Sequence, residues 1–215
     1  MDIYQIISHL LDGILYTLLV TVSCSLTGLS IGVLLACAYR LGGRYAKLFY
    51  DFYTFIFRSI PVLVLLFLVY FGLPSAGILI PPLLAMVLSL GLVASAYLAE
   101  VFRGALEGVD PTELLAAKAI GMTPFQIFRY IEMPQALRFS APGIVNELTS
   151  VIKYTPLAYT VGVPEIMKKA IILTAITLEG IEVYICVGII YFLIYRIFLI
   201  GIHLLERAFR IPTIA

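Results

Sequence analysis

The hydrophobic pattern of the chain consists of long apolar runs separated by short polar segments. No Asp, Glu, Lys or Arg occurs between Asp12 and Arg40, and a second charge-free stretch runs from Ser59 to Ala99. A membrane-spanning helix needs about 20 mostly apolar residues. The first run therefore predicts one span, and the second is long enough for parts of two, divided by the glycine and proline turn signals in residues 72–82.

Apolar character returns twice in the second half of the chain. One segment runs from about Leu137 to Val163 and includes Glu147, and the other begins near Val183. The pattern therefore predicts an all-α, polytopic membrane bundle of about five transmembrane helices, in one transmembrane domain that takes in the whole chain. The predicted spans are about residues 13–39, 49–73, 83–102, 137–163 and 183–205.

The composition agrees with lipid as the solvent of this chain. Apolar residues make up 62% and charged residues 13% of the sequence, and the mean hydropathy is +1.07. A soluble domain carries about 25% charged residues. This composition excludes intrinsic disorder, a coiled coil and a secreted disulfide scaffold. The net charge of +1 predicts no nucleic acid partner.

The basic residues predict the orientation of the chain, because Lys and Arg in short loops mark the cytoplasmic side. Nine bases fall in three segments that five spans would place on one side of the membrane. They are Arg40, Arg44, Lys47, Arg103, Lys118, Arg129, Arg138, Arg207 and Arg210. The opposite side holds only Lys168 and Lys169, accompanied by three glutamates. This distribution predicts an N-terminus outside and a C-terminus inside.

The segment between the third and fourth spans has the pattern of two short helices separated by a glycine. Asp110, followed by a proline and then a glutamate at the third helical position, is typical of a helix start. Gly121 predicts a left-handed C-cap, Thr123 predicts a second start, and Pro134 is expected to stop that helix. The cytoplasmic helices are thus predicted at about 110–134. The residues alone leave two interpretations open: a hairpin lying on lipid, or a docking element for a cytoplasmic partner.

Several short motifs resemble one protein family when they are taken together and in order. They are Arg58-Ser59-Ile60-Pro61, Tyr70-Phe71-Gly72-Leu73-Pro74, Glu100-x-x-Arg103-Gly104, Ala116-Ala117-x-Ala119-Ile120-Gly121-Met122, Met133-Pro134-Gln135-Ala136, Pro142, Lys153-x-Thr155-x-Leu157 and Gly162-Val163-Pro164-Glu165. The central motifs resemble the EAA loop of ABC importer permeases. The set is most similar to the polar amino acid subfamily of histidine, arginine and glutamine type, and it covers nearly the whole chain.

The resemblance implies a type I importer fold and an inner-membrane subunit that moves amino acids inward by alternating access. The energy would come from a separate ATP-binding cassette ATPase dimer, which would bind ATP and Mg, while this chain would bind no cofactor. A second permease copy or a paralogue, an extracytoplasmic amino acid-binding protein and the bacterial cytoplasmic membrane are implied as well. The residues implied in coupling to the ATPase are Glu113, Leu115, Ala116, Ala117, Gly121, Met122 and Pro124.

Two features depart from the family pattern. Leu115 stands where the signature Glu of the family usually lies, and Glu113 lies two positions earlier. Tyr154 and Pro156 interrupt the usual Lys-Asp-Thr-Ser-Leu pattern. An external energy supply agrees with the residues themselves, because the sequence contains no Gly-x-x-x-x-Gly-Lys-Ser/Thr phosphate loop.

The residues predict neither catalysis nor metal binding. The run from Gly28 to Gly32 matches the Gly-x-Ser-x-Gly nucleophile motif, which needs a turn between a strand and a helix, whereas this run lies in the middle of a span. Cys24, Gly28, Gly32 and Ala36 recur every four residues. This stripe of small residues predicts close helix packing in lipid.

Charged residues inside the spans are the candidates for a substrate path, because they usually face the bundle interior or a water-filled cavity. Arg58 could bind the carboxylate of an amino acid bidentately, and Glu147 could bind its ammonium group. Polar neighbours at helical spacing share the face of Glu147. The predicted substrate-binding residues are Arg58, Asn146, Glu147, Thr149 and Ser150. The alternative is that Arg58 and Glu147 only pair with each other or with a helix end.

The remaining charges inside the spans have structural interpretations. Glu100 and Arg103 are three residues apart and are expected to form an intrahelical pair. Lys153 is expected to meet an acid or a carbonyl, and Arg196 to reach the interface or to pair between helices.

The alternative function is a channel or secondary transporter subunit that works without ATP. Five spans without an internal inverted repeat argue against the common secondary-transporter plans. A membrane enzyme is disfavoured by the missing motifs, and a scaffold subunit without a path of its own stays open. A basic substrate is one option, because Glu147 is available, but this carboxylate could equally bind the α-ammonium of any amino acid.

Overall fold

The computed structural model of the chain describes residues 2–209, and it describes the side chains of residues 2–202. This part contains twelve α-helices and no strand, which confirms the predicted all-α fold class. The helices are α1 (Ile3–Leu11), α2 (Ile14–Leu41), α3 (Arg44–Ser59), α4 (Val62–Phe67), α5 (Pro82–Met86), α6 (Leu92–Glu107), α7 (Pro111–Ala119), α8 (Pro124–Ile127), α9 (Met133–Phe139), α10 (Ala141–Tyr154), α11 (Ile166–Thr177) and α12 (Gly180–Phe209). Short π- or 3₁₀-helical turns continue several of them, at Leu68–Gly72, Leu73–Ala76, Val87–Gly91, Phe128–Glu132 and Thr155–Val161.

Three helical stretches in the described part are long and apolar enough to cross a membrane. They are Ile3–Leu41, Pro82–Glu107 and Gly180–Ile202. A fourth candidate is the pair Arg44–Ser59 and Val62–Ala76, whose two halves meet at 98°. The predicted fourth span, at 137–163, contains α10 and the 3₁₀ turn that follows it.

The five spans and the orientation of the termini stay predictions. Two of the bases that predict this orientation lie at the C-terminal end of the chain. Arg210 lies outside the described residues, and only the backbone of Arg207 is described.

The second predicted span is not one straight helix, because the chain bends at Pro61. Proline has no N–H to donate, and its ring disfavours the helical conformation of the residue before it. Ile60 is accordingly extended, with φ −92° and ψ 127°. The break places Arg58 in the last turn of α3, beside the bend, instead of in the middle of a span.

The stripe of small residues packs α2 directly against α6, as predicted. A Cβ atom added at Gly32 would lie 2.9 Å from the Cβ atom of Leu98 and 3.1 Å from the carbonyl oxygen of Ser95. A Cβ atom at Gly28 would lie 3.1 Å from the Cβ atom of Ala94. The glycines therefore allow an approach of the two helices that a larger residue would prevent.

Replacing Gly32 by Ala (G32A) is expected to destabilise the protein by about 1–3 kcal/mol, because overpacking forces neighbouring backbone to shift. Gly188 in α12 is the matched control, since a Cβ atom added there meets nothing within 4 Å. Gly188→Ala is expected to be neutral or to raise stability by up to about 1 kcal/mol through helix propensity. Thermal unfolding of the two purified variants in detergent measures the difference, and equal midpoints would contradict the close packing.

The residues between α6 and α9 form the predicted pair of capped helices. The Asp110 side chain accepts a hydrogen bond from the backbone N–H of Thr112 at 2.8 Å, and hydrogen bonds from Thr112 lower the pKa of the Asp110 carboxyl. Gly121 has φ +84°, and the N–H of Met122 donates to the carbonyl of Ala117 at 3.1 Å. This geometry is a Schellman motif, which confirms the predicted left-handed cap.

The second of these helices does not end at Pro134, contrary to the prediction. Thr123 and Gln126 form the expected capping box, and α8 starts there. The chain then passes through the π turn Phe128–Glu132 into α9, where Pro134 occupies the first turn. A first turn tolerates proline because its N–H groups have no helical partner, and the wider π turn starts a new register before it.

Candidate functional site

A cavity of about 580 Å³ lies where the bend between α3 and α4 faces α6 and α10. Its volume falls in the range of about 300–1,000 Å³ that is typical of small-molecule sites. Its polar lining comes from three separate parts of the chain. These side chains are Arg58, Ser59, Tyr97, Glu147, Ser150 and Tyr154.

Arg58 is held at the edge of this cavity by two contacts from α6. Its guanidinium nitrogen lies 3.5 Å from a carboxylate oxygen of Glu100, and its central carbon lies 5.3 Å from the ring centre of Tyr97. The Arg58 side chain is still 43% exposed. Because guanidinium has five N–H donors in a fixed fork, donors remain for an anion in the cavity.

Glu147 on α10 lines the same cavity and is half-buried. Among the side chains that the structure describes, none gives it a hydrogen bond or an ion pair within 4.0 Å. Arg58 is near enough for its charge to act on Glu147, but the two side chains form no direct ion pair. A half-buried carboxylate beside a cavity, to which no described side chain donates a hydrogen bond, can bind a cation.

The other predicted substrate-binding residues occupy different places around α10. Ser150 lines the cavity, and its hydroxyl donates to the carbonyl of Asn146 at 3.0 Å. Thr149 is buried and donates to the same carbonyl at 2.8 Å, while the Asn146 side chain is exposed. The structure therefore brings Arg58, Glu147 and Ser150 together in one cavity, and Asn146 and Thr149 lie outside its lining.

Glu100 links the edge of the cavity to the other end of α6. The expected intrahelical pair is present, because a nitrogen of Arg103 lies 2.9 Å from Glu100, and Arg103 continues to Glu107 at 2.7 Å. The hydroxyl of Tyr50 also donates to Glu100 at 2.7 Å. This last contact joins residues 50 positions apart, so helical spacing gave no signal for it.

Lys153 and Arg196, the two other span residues considered above, lie away from the cavity lining. The ammonium of Lys153 lies 5.5 Å from the ring centre of Tyr195, so it meets an aromatic face instead of the expected acid or carbonyl. Arg196 is exposed on α12. Two tyrosines that were not among the predicted site residues, Tyr97 and Tyr154, do line the cavity.

The residues implied in coupling lie in the segment 110–134, which is called the docking segment below. Within it, Ala117 is buried and Met122 is half-buried. The exposed members of the set are Glu113, Leu115, Ala116, Gly121 and Pro124. Leu115 has 64% of its surface exposed, and the Glu113 carboxylate accepts a hydrogen bond from the side chain of Gln135. The Glu113 carboxylate is thus hydrogen-bonded within the chain, and Leu115 presents an apolar side chain at the surface.

The charged groups of the cavity indicate which kind of ligand the site can bind. The cavity offers a guanidinium and a carboxylate to one small molecule, which suits a ligand with charges of both signs. Among the described residues, no group of three or more His, Cys, Asp or Glu side chains could hold a metal ion.

Comparison with known proteins finds similarity over most of the chain. A family described as "Binding-protein-dependent transport system inner membrane component" matches residues 28–211. The "Probable amino-acid permease protein YxeN" of Bacillus subtilis (strain 168) is 40% identical over 166 residues, covering 74% of this chain and 73% of that protein. The "Arginine transport system permease protein ArtQ" of the same organism is 32% identical, covering 89% of this chain and 88% of that protein.

Solved structures share the fold. A chain from the crystal structure of an amino acid ABC transporter with histidines superposes with a TM-score of 0.88 at 30% identity, covering 97% of this chain and 99% of that chain. A chain of the inward-facing MetNI methionine ABC transporter superposes with a TM-score of 0.75 at 24% identity, covering 97% of this chain and 99% of that chain.

Proposed function

This chain belongs to the family of binding-protein-dependent transport system inner membrane components, and we propose from that premise that its cargo is a polar amino acid. As a permease subunit, it is the transmembrane translocation part of an ATP-driven importer. It is not itself an enzyme, because ATP hydrolysis in this family belongs to a separate subunit. The names of relatives as amino-acid, arginine and glutamine permeases support the proposed cargo class.

The observation that carries the proposal is the presence of Arg58 and Glu147 in one cavity of about 580 Å³. We assign the carboxylate of the amino acid to Arg58, whose fork of donors suits a planar carboxylate. We assign the ammonium group, or the basic end of a basic amino acid, to Glu147. Ser150 adds a hydroxyl to the same wall, while Asn146 and Thr149 lie outside the lining.

The partners follow from the same family membership. We propose a pair of ABC ATPases that bind ATP and Mg, a second copy of this chain or a paralogue, and an extracytoplasmic amino acid-binding protein. The proposed location is the bacterial cytoplasmic membrane, with five spans, the N-terminus outside and the docking segment inside. Closure of the ATPase pair would push on the docking segment. The subunit would then change between a state in which the cavity is open to the outside and one in which it is open to the inside.

Replacing Glu147 by Gln (E147Q) tests substrate recognition in the complex assembled with the ATPase. The amino acid concentration that half-maximally stimulates ATP hydrolysis is expected to rise at least about tenfold, because a hydrogen bond to a charged group is worth about 1.5–3 kcal/mol. Asp51→Asn is the matched control, since Asp51 is an exposed carboxylate on α3 that does not line the cavity. An unchanged response of E147Q would remove Glu147 from the site.

Transport itself is tested in proteoliposomes. Uptake is expected only when the chain is assembled with an ATPase and supplied with ATP. If the chain alone moved amino acids down a gradient, the channel interpretation would replace the proposed one.

A further inference from the structure

Another charge pair lies outside the lining of the substrate cavity and joins the end of α2 to the docking segment. The carboxylate of Glu132 is only 1% exposed, whereas the Arg40 side chain is 45% exposed. The Nε atom of Arg40 lies 3.0 Å from both of its oxygens, and a terminal guanidinium nitrogen of Arg40 forms a further short contact with it. The two residues are 92 positions apart in the sequence. A carboxylate this deeply buried is costly to keep unless it is paired, so the geometry of the pair is strongly constrained.

The pair has a distinctive position in the chain. Arg40 lies in the last turn of α2, and Glu132 ends the π turn that joins α8 to α9. Of the ion pairs that the described side chains form, this one alone joins the docking segment to another part of the chain. A π turn is a common feature of functional segments, because it interrupts the regular helical register.

The Arg40–Glu132 pair lies beside the N-terminal part of the docking segment. Arg40 and Glu132 line a cavity of about 280 Å³ together with Pro111 and Leu114, which belong to the first two turns of α7. Any displacement of α7 therefore takes place beside the pair.

Apolar contacts also attach the docking segment to the rest of the chain. Phe128 is buried in a cluster that includes Ala36 of α2 and Phe102 of α6. These contacts hold the segment in place, but they do not orient individual groups, because the hydrophobic effect is non-directional. A hydrogen-bonded charge pair, in contrast, fixes distance and direction between two groups.

We propose that the Arg40–Glu132 pair transmits the movement of the docking segment to α2, so that both are positioning residues for the coupling of ATP hydrolysis to transport. The inference rests on the proposed function and names the helix that receives the movement. Neither residue touches the substrate cavity described above, and neither is among the residues implied in coupling by the family resemblance.

Replacing Glu132 by Gln (E132Q) keeps the shape of the side chain and removes its charge. The measured quantity is the number of ATP molecules hydrolysed per amino acid transported by the complex with the ATPase. E132Q is expected to raise this number at least about fivefold, because fivefold is the low end of the effects that one coupled site typically has on another. The exposed Asp51 on α3 is the matched control, because it lines neither the cavity beside this pair nor the substrate cavity. Asp51→Asn is therefore expected to leave the ratio unchanged.

A double-substitution cycle separates a shared connection from two independent roles. Arg40→Gln is expected to raise the ratio as much as E132Q does, and R40Q/E132Q is expected to be no worse than either single variant. Effects that multiply in the double variant would contradict a common role.

A distance measurement keeps the test independent of turnover and stability. Spin labels on Leu34→Cys of α2 and Ile197→Cys of α12, both exposed in the structure, report the change in separation between the nucleotide-free and the nucleotide-trapped complex. In an Asp51→Asn background this change is expected to match that of the unsubstituted chain, and in E132Q it is expected to be lost. The inference would be overturned if E132Q showed the same change in spin-label separation as the unsubstituted chain, or hydrolysed the same number of ATP molecules per amino acid transported. The pair would then be a stabilising contact only.

The two proposals fail in different ways. If the unsubstituted complex hydrolysed ATP without importing any amino acid, the proposed function would fall and the inference with it. If the unsubstituted complex and E132Q were coupled equally well, only the role of the Arg40–Glu132 pair would fall.

Discussion

Replacing Arg58 by Gln (R58Q) is expected to raise the apparent KM for amino acid uptake about 10- to 100-fold. The guanidinium is already held by Glu100 and Tyr97 with donors left over, so substrate binding should need little rearrangement. The range follows from about 1.5–3 kcal/mol for a hydrogen bond to a charged group, with a factor of ten for every 1.4 kcal/mol. Uptake of labelled amino acid into proteoliposomes that contain the complete transporter measures it.

Two companion variants distinguish substrate binding from a purely structural role of Arg58. Arg58→Lys keeps the charge but loses the bidentate fork, and it is expected to give an intermediate KM. Glu100→Gln removes the acid that Arg58 contacts at 3.5 Å and leaves the guanidinium in place. If E100Q reproduced the KM of R58Q, Arg58 would act only as the partner of Glu100.

Replacing Gly121 by Val (G121V) is expected to uncouple ATP hydrolysis from transport, lowering uptake per ATP about tenfold. The backbone of Gly121 has φ +84°, a conformation that costs a residue other than glycine about 1–3 kcal/mol. No atom lies within 4 Å of a Cβ atom built there, so the strain comes from the backbone and not from a clash. The chain should therefore fold, while the turn between α7 and α8 loses its geometry. Uptake and ATP release recorded on the same proteoliposomes give the ratio.

Asparagine provides the control at this position, because it tolerates the left-handed conformation better than other residues with a side chain. Gly121→Asn is expected to retain most of the coupling of the unsubstituted chain. Equal coupling in G121V and G121N would contradict the importance of the Schellman motif for docking.

Local chemistry could be predicted from the sequence where neighbouring residues determine the outcome. The N-cap at Asp110, the glycine cap at 121 and the capping box at Thr123 each depend on a few adjacent residues, and each is present. Close packing of α2 could also be predicted, because a small residue at every fourth position leaves a groove, although the identity of α6 as the partner helix could not.

Two prolines show where local patterns were insufficient. Apolar character continues without interruption through Pro61, so hydropathy alone predicts one span where the structure has a 98° bend. Pro134 is a reliable helix terminator only in a regular helix, and the π turn before it changes the register. At Pro61 the proline itself bends the chain inside an apolar run, whereas at Pro134 the preceding π turn lets the helix continue.

The charged residues divide in the same way. The intrahelical pair of Glu100 and Arg103 follows from spacing, whereas the contact of Glu100 with Tyr50 depends on how two helices pack. On sequence alone, Arg40 marks only the predicted cytoplasmic side and Glu132 has no predicted role, because their partnership exists only in the folded chain. The placement of Arg58 and Glu147 around one cavity likewise needed the structure.

The glycine-lined contact of α2 and α6 also limits the independent motions that the subunit can perform. Gly32 leaves no room for even a single added methyl group beside Leu98, so sliding of the two helices past each other would cause clashes, and we expect them to move together. A displacement of α2 would then move α6 with it, together with Tyr97 and Glu100. The opening and closing of the cavity would then take place at a joint elsewhere, and the bend at Pro61, which holds Arg58 on one side of the cavity, is the natural hinge.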